Sequence, residues 1–358
     1  MQQVPLLSVI IPVHNSAHSL PRLFTSLQDQ TLTSFEAIFV DDSSTDASWD
    51  MLYDVSMRDT RFRVHRLQKN LGAGCARNKG IELASGTFIH FLDSDDCYAS
   101  SNALERMAGY IEKSHAEVTV FRYNLITSEH APFYRSVNAY EQKVWNYLAQ
   151  TAKVDNSSYH NIKDTQCLLA LPAFPWNKVY TRAFLLAHSI LFPRTMLHED
   201  ILFSWKSLLL AERISFCSEP VVNYYYSYAN AAQASNQKDA RRFELFSAFD
   251  KLDTFVHTIT TDHSFSPWLL RFKIDTFSFG LGKIGTKQLS AFSTAVKQAL
   301  SGISNASWKE LKHLPLTGPI DRCKHFFIRF LPLFYAHTLR LLKKIIAIAL
   351  CQHRLRAL

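Results

Sequence analysis

At 358 residues, 47% hydrophobic and 20% charged, the chain has the composition of a folded protein with one large domain and appendages, which argues against a disordered class. Six cysteines stand far apart without a C-x-x-C pair, so a zinc site or a disulfide framework is not expected and the thiols are read as reduced. The net charge of +8 is uneven: residues 1–100 carry eight Lys/Arg against twelve Asp/Glu, whereas residues 321–358 carry eight Lys/Arg against Asp321 alone.

Leu6–Val13 is a short apolar run with β-branched residues, and Ser19–Gln30 sets Leu20, Leu23, Phe24 and Leu27 at helical spacing, so a buried strand feeds a helix. Phe35–Val40 predicts a second strand, ending at Asp41–Asp46, whose Ser/Thr/Asp cluster can cap a helix through Trp49, Leu52 and Val55. Phe62–Leu67, Phe88–Leu92 and Val118–Tyr123 predict three further strands, with a helix over Ala76–Ala84. This alternation implies an α/β fold with a largely parallel sheet covered on both faces. Beyond residue 125 the pattern loosens, then recovers at Ala173–Tyr180, which runs into a helix over Thr181–His188. His198-Glu199-Asp200 opens a helix over Ile201–Ala211; Ile214–Cys217 and Val221–Tyr228 read as two strands, and Lys238–Leu314 as helical. The expected division is an α/β domain over 1–228, a helical region over 229–320 and a basic amphipathic tail over 321–358. The first residues lack a basic start and a long apolar run, which predicts a cytoplasmic protein.

In open α/β sheets ligands bind outside the carboxyl ends of the strands. Here His14-Asn15 follows the first strand, Asp41-Asp42 the second, and Asp93-Ser94-Asp95-Asp96 the fourth, so three strand ends supply one crevice. Hard oxygen ligands in that number suit Mg²⁺ or Mn²⁺ carrying a phosphorylated substrate. The alternative for the aspartates is a solvated turn with Asp as an N-cap before Ala103-Leu104. No G-x-G-x-x-G motif follows the first strand, which argues against a nicotinamide enzyme.

Four blocks in order, Ser8–Asn15, Phe39–Asp46, Gly74–Gly80 with Gly86–Asp96, and His198-Glu199-Asp200, resemble the family 2 glycosyltransferases, which share the GT-A nucleotide-sugar-binding fold. The likeness covers roughly residues 5–225 and is strongest to about residue 110. The resemblance implies a donor side formed by Pro12, His14, Asn15, Asp41, Asp42, Arg77, Asp93 and Ser94, with Asp42 accepting from the uracil of a UDP-sugar. It makes Asp93-Ser94-Asp95 the DxD motif, with Asp95 on a Mn or Mg ion and Asp93 on the ribose or the ion's water shell. His14 stands where the family usually has Tyr, which leaves the nucleotide less defined. Arg77 could face a diphosphate or form an ion pair at the helix flank. Glu199-Asp200 resembles the family's ED motif, in which Asp200 is the general base; capping of the following helix is the plainer use of the pair. Trp176, Lys178 and His198 resemble acceptor-side positions, against a core role for Trp176 and a bystander role for His198.

The resemblance implies an inverting, metal-dependent transfer of a sugar from a UDP donor to a saccharide or lipid-linked glycan in cell-surface glycan synthesis. The competing class is a non-catalytic nucleotide-sugar or glycan-binding scaffold of the same fold. A nucleotidyltransferase would want a glycine- and lysine-rich first loop, which His14–Leu20 is not. In the tail, Lys324–Phe334 and Leu339–Leu350 mix aromatic and aliphatic with basic residues but are too short to cross a bilayer. They read either as interfacial helices on anionic inner-membrane lipid or as helices packed on the core; nucleic acid is not the expected partner.

Overall fold

Seven consecutive buried residues in Leu7–Val13 and again in Phe35–Asp41 leave these segments no solvent face, and they form the adjacent strands β1 and β2. The computed structural model describes residues 4–127, 134–136, 139–151, 159–226, 237–260 and 263–341. Contacts divide the chain into two units, Met1–Tyr228 and Ala229–Leu358.

In the first unit, β1 leads to α1 (Leu20–Gln28), β2 to α2 (Ser48–Ser56), and β3 (Phe62–Arg66) to α3 (Ala73–Leu83). Strands β4 (Phe88–Phe91) and β5 (Cys97–Tyr98) precede α4 (Ala103–Ser114) and β6 (Val118–Ile126). Next come β7 (Tyr134–Ser136), α5 (Ala139–Thr151), β8 (Lys178–Thr181), α6 (Arg182–Ala187), α7 (Glu199–Leu210) and β9 (Ile214–Tyr225). The sheet runs β3-β2-β1-β4-β8-β6-β9-β5, with β7 on β6. Strands β3, β2, β1 and β4 are parallel, and β4 lies on the side of β1 away from β2. The chain therefore reverses its direction of winding between β1 and β4, and the carboxyl ends of both strands flank that switch point.

The sheet is mixed beyond β4, a departure from the largely parallel expectation. Strand β8 inserts antiparallel between β4 and β6, and β5 runs antiparallel to β9. The four residues of β8 are too few for a periodic signal. The two strands read at 214–217 and 221–228 are one strand, β9, paired along β6 with register shifts at Phe121/Arg122 and Arg122/Tyr123. Ser227 and Tyr228 lie outside the described residues.

Helix α3 approaches β1 through Gly80, where a Cβ would collide with the Ile10 side chain. The glycine lets α3 lie close to the sheet, which sets where Arg77, one turn earlier, can reach.

The second unit contains α8 (Glu244–Ile259), α9 (Ser266–Lys283), α10 (Leu289–Ser301), α11 (Asn305–His313) and α12 (Pro319–Phe330). Its core holds Phe249, Phe277 and Phe292. Arg271, 2% exposed at the side chain, pairs with Asp275 at 2.7 Å and Asp321 at 3.1 Å. Residues 332–341 are helical, and residues 342–358 of the expected tail lie outside the described residues.

Substituting Gly80→Ala forces the packed Ile10 side chain or the helix to move. Calorimetry should show a loss of about 1–3 kcal/mol of stability, with Gly109→Ala, where no atom lies near the added Cβ, causing no such loss.

Candidate active site

The β4 strand ends in Leu92, and the chain turns through Asp93-Ser94-Asp95-Asp96 into β5. Asp93, Asp95 and Asp96 each offer a carboxylate oxygen within 4.8 Å of the others. Asp96 is fully buried, its Oδ1 accepts from the Tyr225 N–H at 2.8 Å, and its Oδ2 has no hydrogen-bond partner. Burial, with the charges of Asp95 and Asp93 added, pushes its carboxyl well above the usual range. The solvated-turn alternative does not hold: α4 begins at Ala103 after Asn102, with β5 between it and the aspartates. A bare buried carboxylate oxygen beside two further carboxylates fits a hard divalent cation, which would relieve their repulsion.

The preceding loops anchor this turn. The Ser94 and Ser16 hydroxyls lie 2.7 Å apart, Ser19 donates to the Ser94 carbonyl at 2.8 Å, and Arg22 donates to the Asp95 carbonyl at 2.7 Å. The Arg22 guanidinium also sits 3.6 Å from the Tyr225 ring centroid.

Arg77 connects the aspartates to the second acidic motif. Its side chain is 6% exposed, donating from Nη2 to Asp93 Oδ1 at 2.7 Å and from Nη1 to Glu199 Oε1 at 2.9 Å. The guanidinium carbon also lies 5.3 Å from the Phe192 ring centroid. Of the two uses read from sequence, the structure contains the ion pair: Arg77 is a buried link between two carboxylates. Gly74, one turn before it, packs against the Glu199 side chain, where any Cβ would press at 3.0 Å.

Glu199 and Asp200 occupy the first turn of α7 behind His198, whose φ of 64° marks a sharp entry. They therefore complement the helix dipole as well as facing the site. The Asp200 carboxyl is pushed up to about 7, first by burial and then by the Glu199 charge, while Arg77 pulls it back. A carboxyl with that affinity is suited to taking a proton near neutral pH.

At the carboxyl end of β1, His14 is exposed and its ring is held at both nitrogens. Nδ1 lies 2.9 Å from the Asp42 carbonyl and Nε2 3.0 Å from Asn70 Nδ2, an arrangement met by the Nδ1–H tautomer. Asp42 is buried, and its carboxylate accepts from the Leu71 and Gly72 N–H groups at 2.7 and 2.8 Å. Asn15, at φ 50°, accepts from the Thr45 N–H at 2.8 Å and so ties the β1 loop to the β2 loop. Asp41 is buried, closing a turn on Ser44 and pairing with Arg66 at 3.2 Å. Pro12 is buried within β1.

Two of the residues read as acceptor-side, Trp176 and Lys178, are buried. Trp176 is 2% exposed and stacks on Phe174 at 4.6 Å, with Tyr123 and Tyr224 at 4.9 and 5.1 Å, an aromatic core. Lys178 is 2% exposed and donates to the Phe174 carbonyl and to Asn177 Oδ1. Burial pulls its ammonium down to about 7 against the charges of Asp200 and Glu141. Arg22, Asn70 and Tyr225 were not read from sequence, because single residues in no motif acquire a role only through the fold. Asp96 was visible in the acidic run but received no role of its own.

Residues 8–170 match the family model described as glycosyl transferase family 2. The chain is similar to the Bacillus subtilis glycosyltransferase EpsH, at 31% identity over 66% of this chain and 65% of that one. It is also similar to the Staphylococcus aureus poly(ribitol-phosphate) beta-N-acetylglucosaminyltransferase TarS, at 30% identity over 62% of this chain and 35% of that one. The match thus spans less than two thirds of the length of these relatives. Among solved structures, TarS residues 1–349 in complex with UDP-GlcNAc superpose with a TM-score of 0.69 at 21% identity, covering 93% of this chain and 90% of that one. A Pyrobaculum calidifontis mannosyltransferase in complex with GDP-Man and Mn²⁺ gives 0.54 at 14%, covering 96% and 89%. At these identities the likeness bears on the fold, which is GT-A-like with a helical carboxyl-terminal part.

Replacing Arg77 with Met leaves two carboxylates facing each other without their cation. Denaturant unfolding should show a loss of about 3 kcal/mol, whereas an exposed pair such as Lys79–Glu82 should contribute under about 1 kcal/mol. Saturating Mn²⁺, at about 100 times its dissociation constant, should stabilise the protein by about 2.7 kcal/mol. The shift should vanish in Asp95→Ala.

Proposed function

We propose that the protein, whose residues 8–170 match the glycosyl transferase family 2 model, transfers one sugar from a UDP-sugar to a saccharide hydroxyl in polysaccharide synthesis, with inversion and a divalent metal. The observation that carries the reading is the Arg77 bridge between the Asp93–Asp96 turn and the Glu199-Asp200 pair, which puts two acidic motifs into one site. UDP-GlcNAc and Mn²⁺ in the structural neighbours support a nucleotide-sugar donor and a cation.

Asp93, Asp95 and Asp96 are the residues that would hold Mn²⁺ or Mg²⁺, which when bound neutralises the diphosphate of the leaving group. Asp200 takes the proton from the acceptor hydroxyl. The hydroxyl oxygen then bonds to the anomeric carbon as the bond from that carbon to the diphosphate oxygen breaks, and UDP departs with the electron pair. One displacement inverts the anomeric centre, and Asp200 afterwards returns its proton to solvent. Glu199, fixed by Arg77, keeps the first turn of α7 in place and raises the proton affinity of its neighbour. His14 offers an exposed ring for a base, and Asp42 retains acceptor capacity beside its two backbone donors. Asn15, Asp41 and Ser94 hold the surrounding loops. The acceptor in this reading is a glycan, free or lipid-linked, and the enzyme works at the cytoplasmic face of the membrane, with its basic tail on anionic lipid.

The test is a panel of UDP-, GDP-, dTDP- and CMP-sugars with Mn²⁺ or Mg²⁺, read as nucleotide release. Metal-dependent UDP release that is lost in Asp95→Ala is expected; tight UDP binding with no turnover on any glycan acceptor would favour the scaffold reading. Asp200→Asn should lower kcat by about 10²–10⁴-fold. Because the base must be ionised, the rate should fall as pH drops through about 7, the value to which Asp200 is raised.

A further inference from the structure

The carboxyl-terminal helices wear their hydrophobic side outward. Along α12 and residues 332–341, the buried positions are His325, Ile328, Pro332 and Ala336. Phe326 and Phe330 of α12, Leu331 at the break that follows it, and Leu333, Phe334 and Leu341 of the next helix are 39–60% exposed. A helix that merely covered its own core would bury phenylalanine and expose histidine and alanine. His325 is instead 4% exposed with neither ring nitrogen hydrogen-bonded, and burial and the neighbouring Arg271 pull its imidazole down to about 4, so it sits inside as a neutral ring. Exposed contiguous apolar stripes of this kind mark contact surfaces.

The cations of the same segment do not form the stripe's counterpart. Lys324 pairs with Asp275, Arg329 donates to Asn305 and lies over the Trp308 and Phe330 rings at 4.5 and 4.8 Å, and Arg340 donates to the Leu281 and Ile284 carbonyls. Arg322 is exposed, and the sequence continues with Lys343, Lys344, Arg354 and Arg356 and no acidic residue after Asp321. A second copy carries the same excess of Lys and Arg from residue 321 onward, which disfavours a dimer through this segment. An anionic bilayer surface offers the opposite charge and an apolar interior within about 5–10 Å of its headgroups. Among the described residues no helix is long and apolar enough to cross a membrane, so the fit is to a helix lying in the interface.

We propose that the Phe326–Phe330–Phe334 stripe inserts into the surface of an anionic membrane, with apolar burial supplying the binding and the cations of the chain end supplying the preference for anionic lipid. This deepens the peripheral-membrane part of the proposed function and is independent of the transfer chemistry.

The experiment is flotation of the full chain with phosphatidylglycerol-containing and with pure phosphatidylcholine vesicles, with UDP release measured in the same samples. The expected result is binding, stronger on the anionic vesicles, that persists at about 1 M ionic strength, where charges are screened beyond about 3 Å. F326S/F330S/F334S should lower partitioning by about 10- to 100-fold with UDP release and melting temperature unchanged. A dye on Cys323, exposed at the head of the stripe in the otherwise unaltered chain, should shift to the blue on vesicles, which keeps the test independent of how the variant folds. The proposal is overturned by a full chain that stays off both vesicles, by binding that disappears in high salt, by a triple variant that binds as before, or by a triple variant whose only change is a halved mass in light scattering. Vesicle binding without UDP release would support the membrane stripe while counting against the transfer reading.

Discussion

The site depends on one buried guanidinium. Arg77 is removed from water and held between Asp93 and Glu199, residues brought together from the end of β4 and the start of α7. A buried cation between two carboxylates is costly to desolvate and contributes little net stability, but it is satisfied in one geometry only, which is why such pairs can fix an arrangement better than they strengthen a fold. Moving α3, β4 or α7 separately would leave a charge without its partner. The glycines at 74 and 80 serve the same arrangement by letting α3 approach Glu199 on one side and Ile10 on the other.

Around that link, burial shifts several groups toward neutral pH for the same reason. Asp200 and Glu141 are raised to about 7 and Lys178 is lowered to about 7, each because its charged form loses water. Asp200 alone among them belongs to a motif that faces the aspartate turn, and a base with that affinity accepts a proton near neutral pH and can release it again. Lys178 and Glu141, with Tyr123 donating to the latter, belong to the aromatic core beneath. Perturbed affinity therefore occurs both beside the aspartate turn and within the aromatic core, so it does not by itself assign a role.

Strands β1, β2 and β4 and the gathering of polar residues at their carboxyl ends were legible because buried strands read as continuous apolar runs and acidic residues beside them stand out. Strand β8 was not, since four residues between aromatic segments carry no period and its antiparallel insertion is decided by tertiary pairing. Arg77 was seen with two possible uses, and sequence spacing could not choose between them because Glu199 lies 122 residues away. For Trp176 and Lys178 the residue types suit a sugar site, while their burial is something sequence does not report. The outward-facing phenylalanines of α12 show the same limit, since the helical period was plain while the face turned to the core was not.

The central claim is a single displacement in which Asp200 takes the acceptor's proton opposite the departing UDP. The most direct measurement is the anomeric configuration of the product formed from an α-linked UDP-sugar, read by proton NMR before any mutarotation. The account predicts a β-linked product; an α-linked product would contradict it, because retention requires a different arrangement of groups around the anomeric carbon.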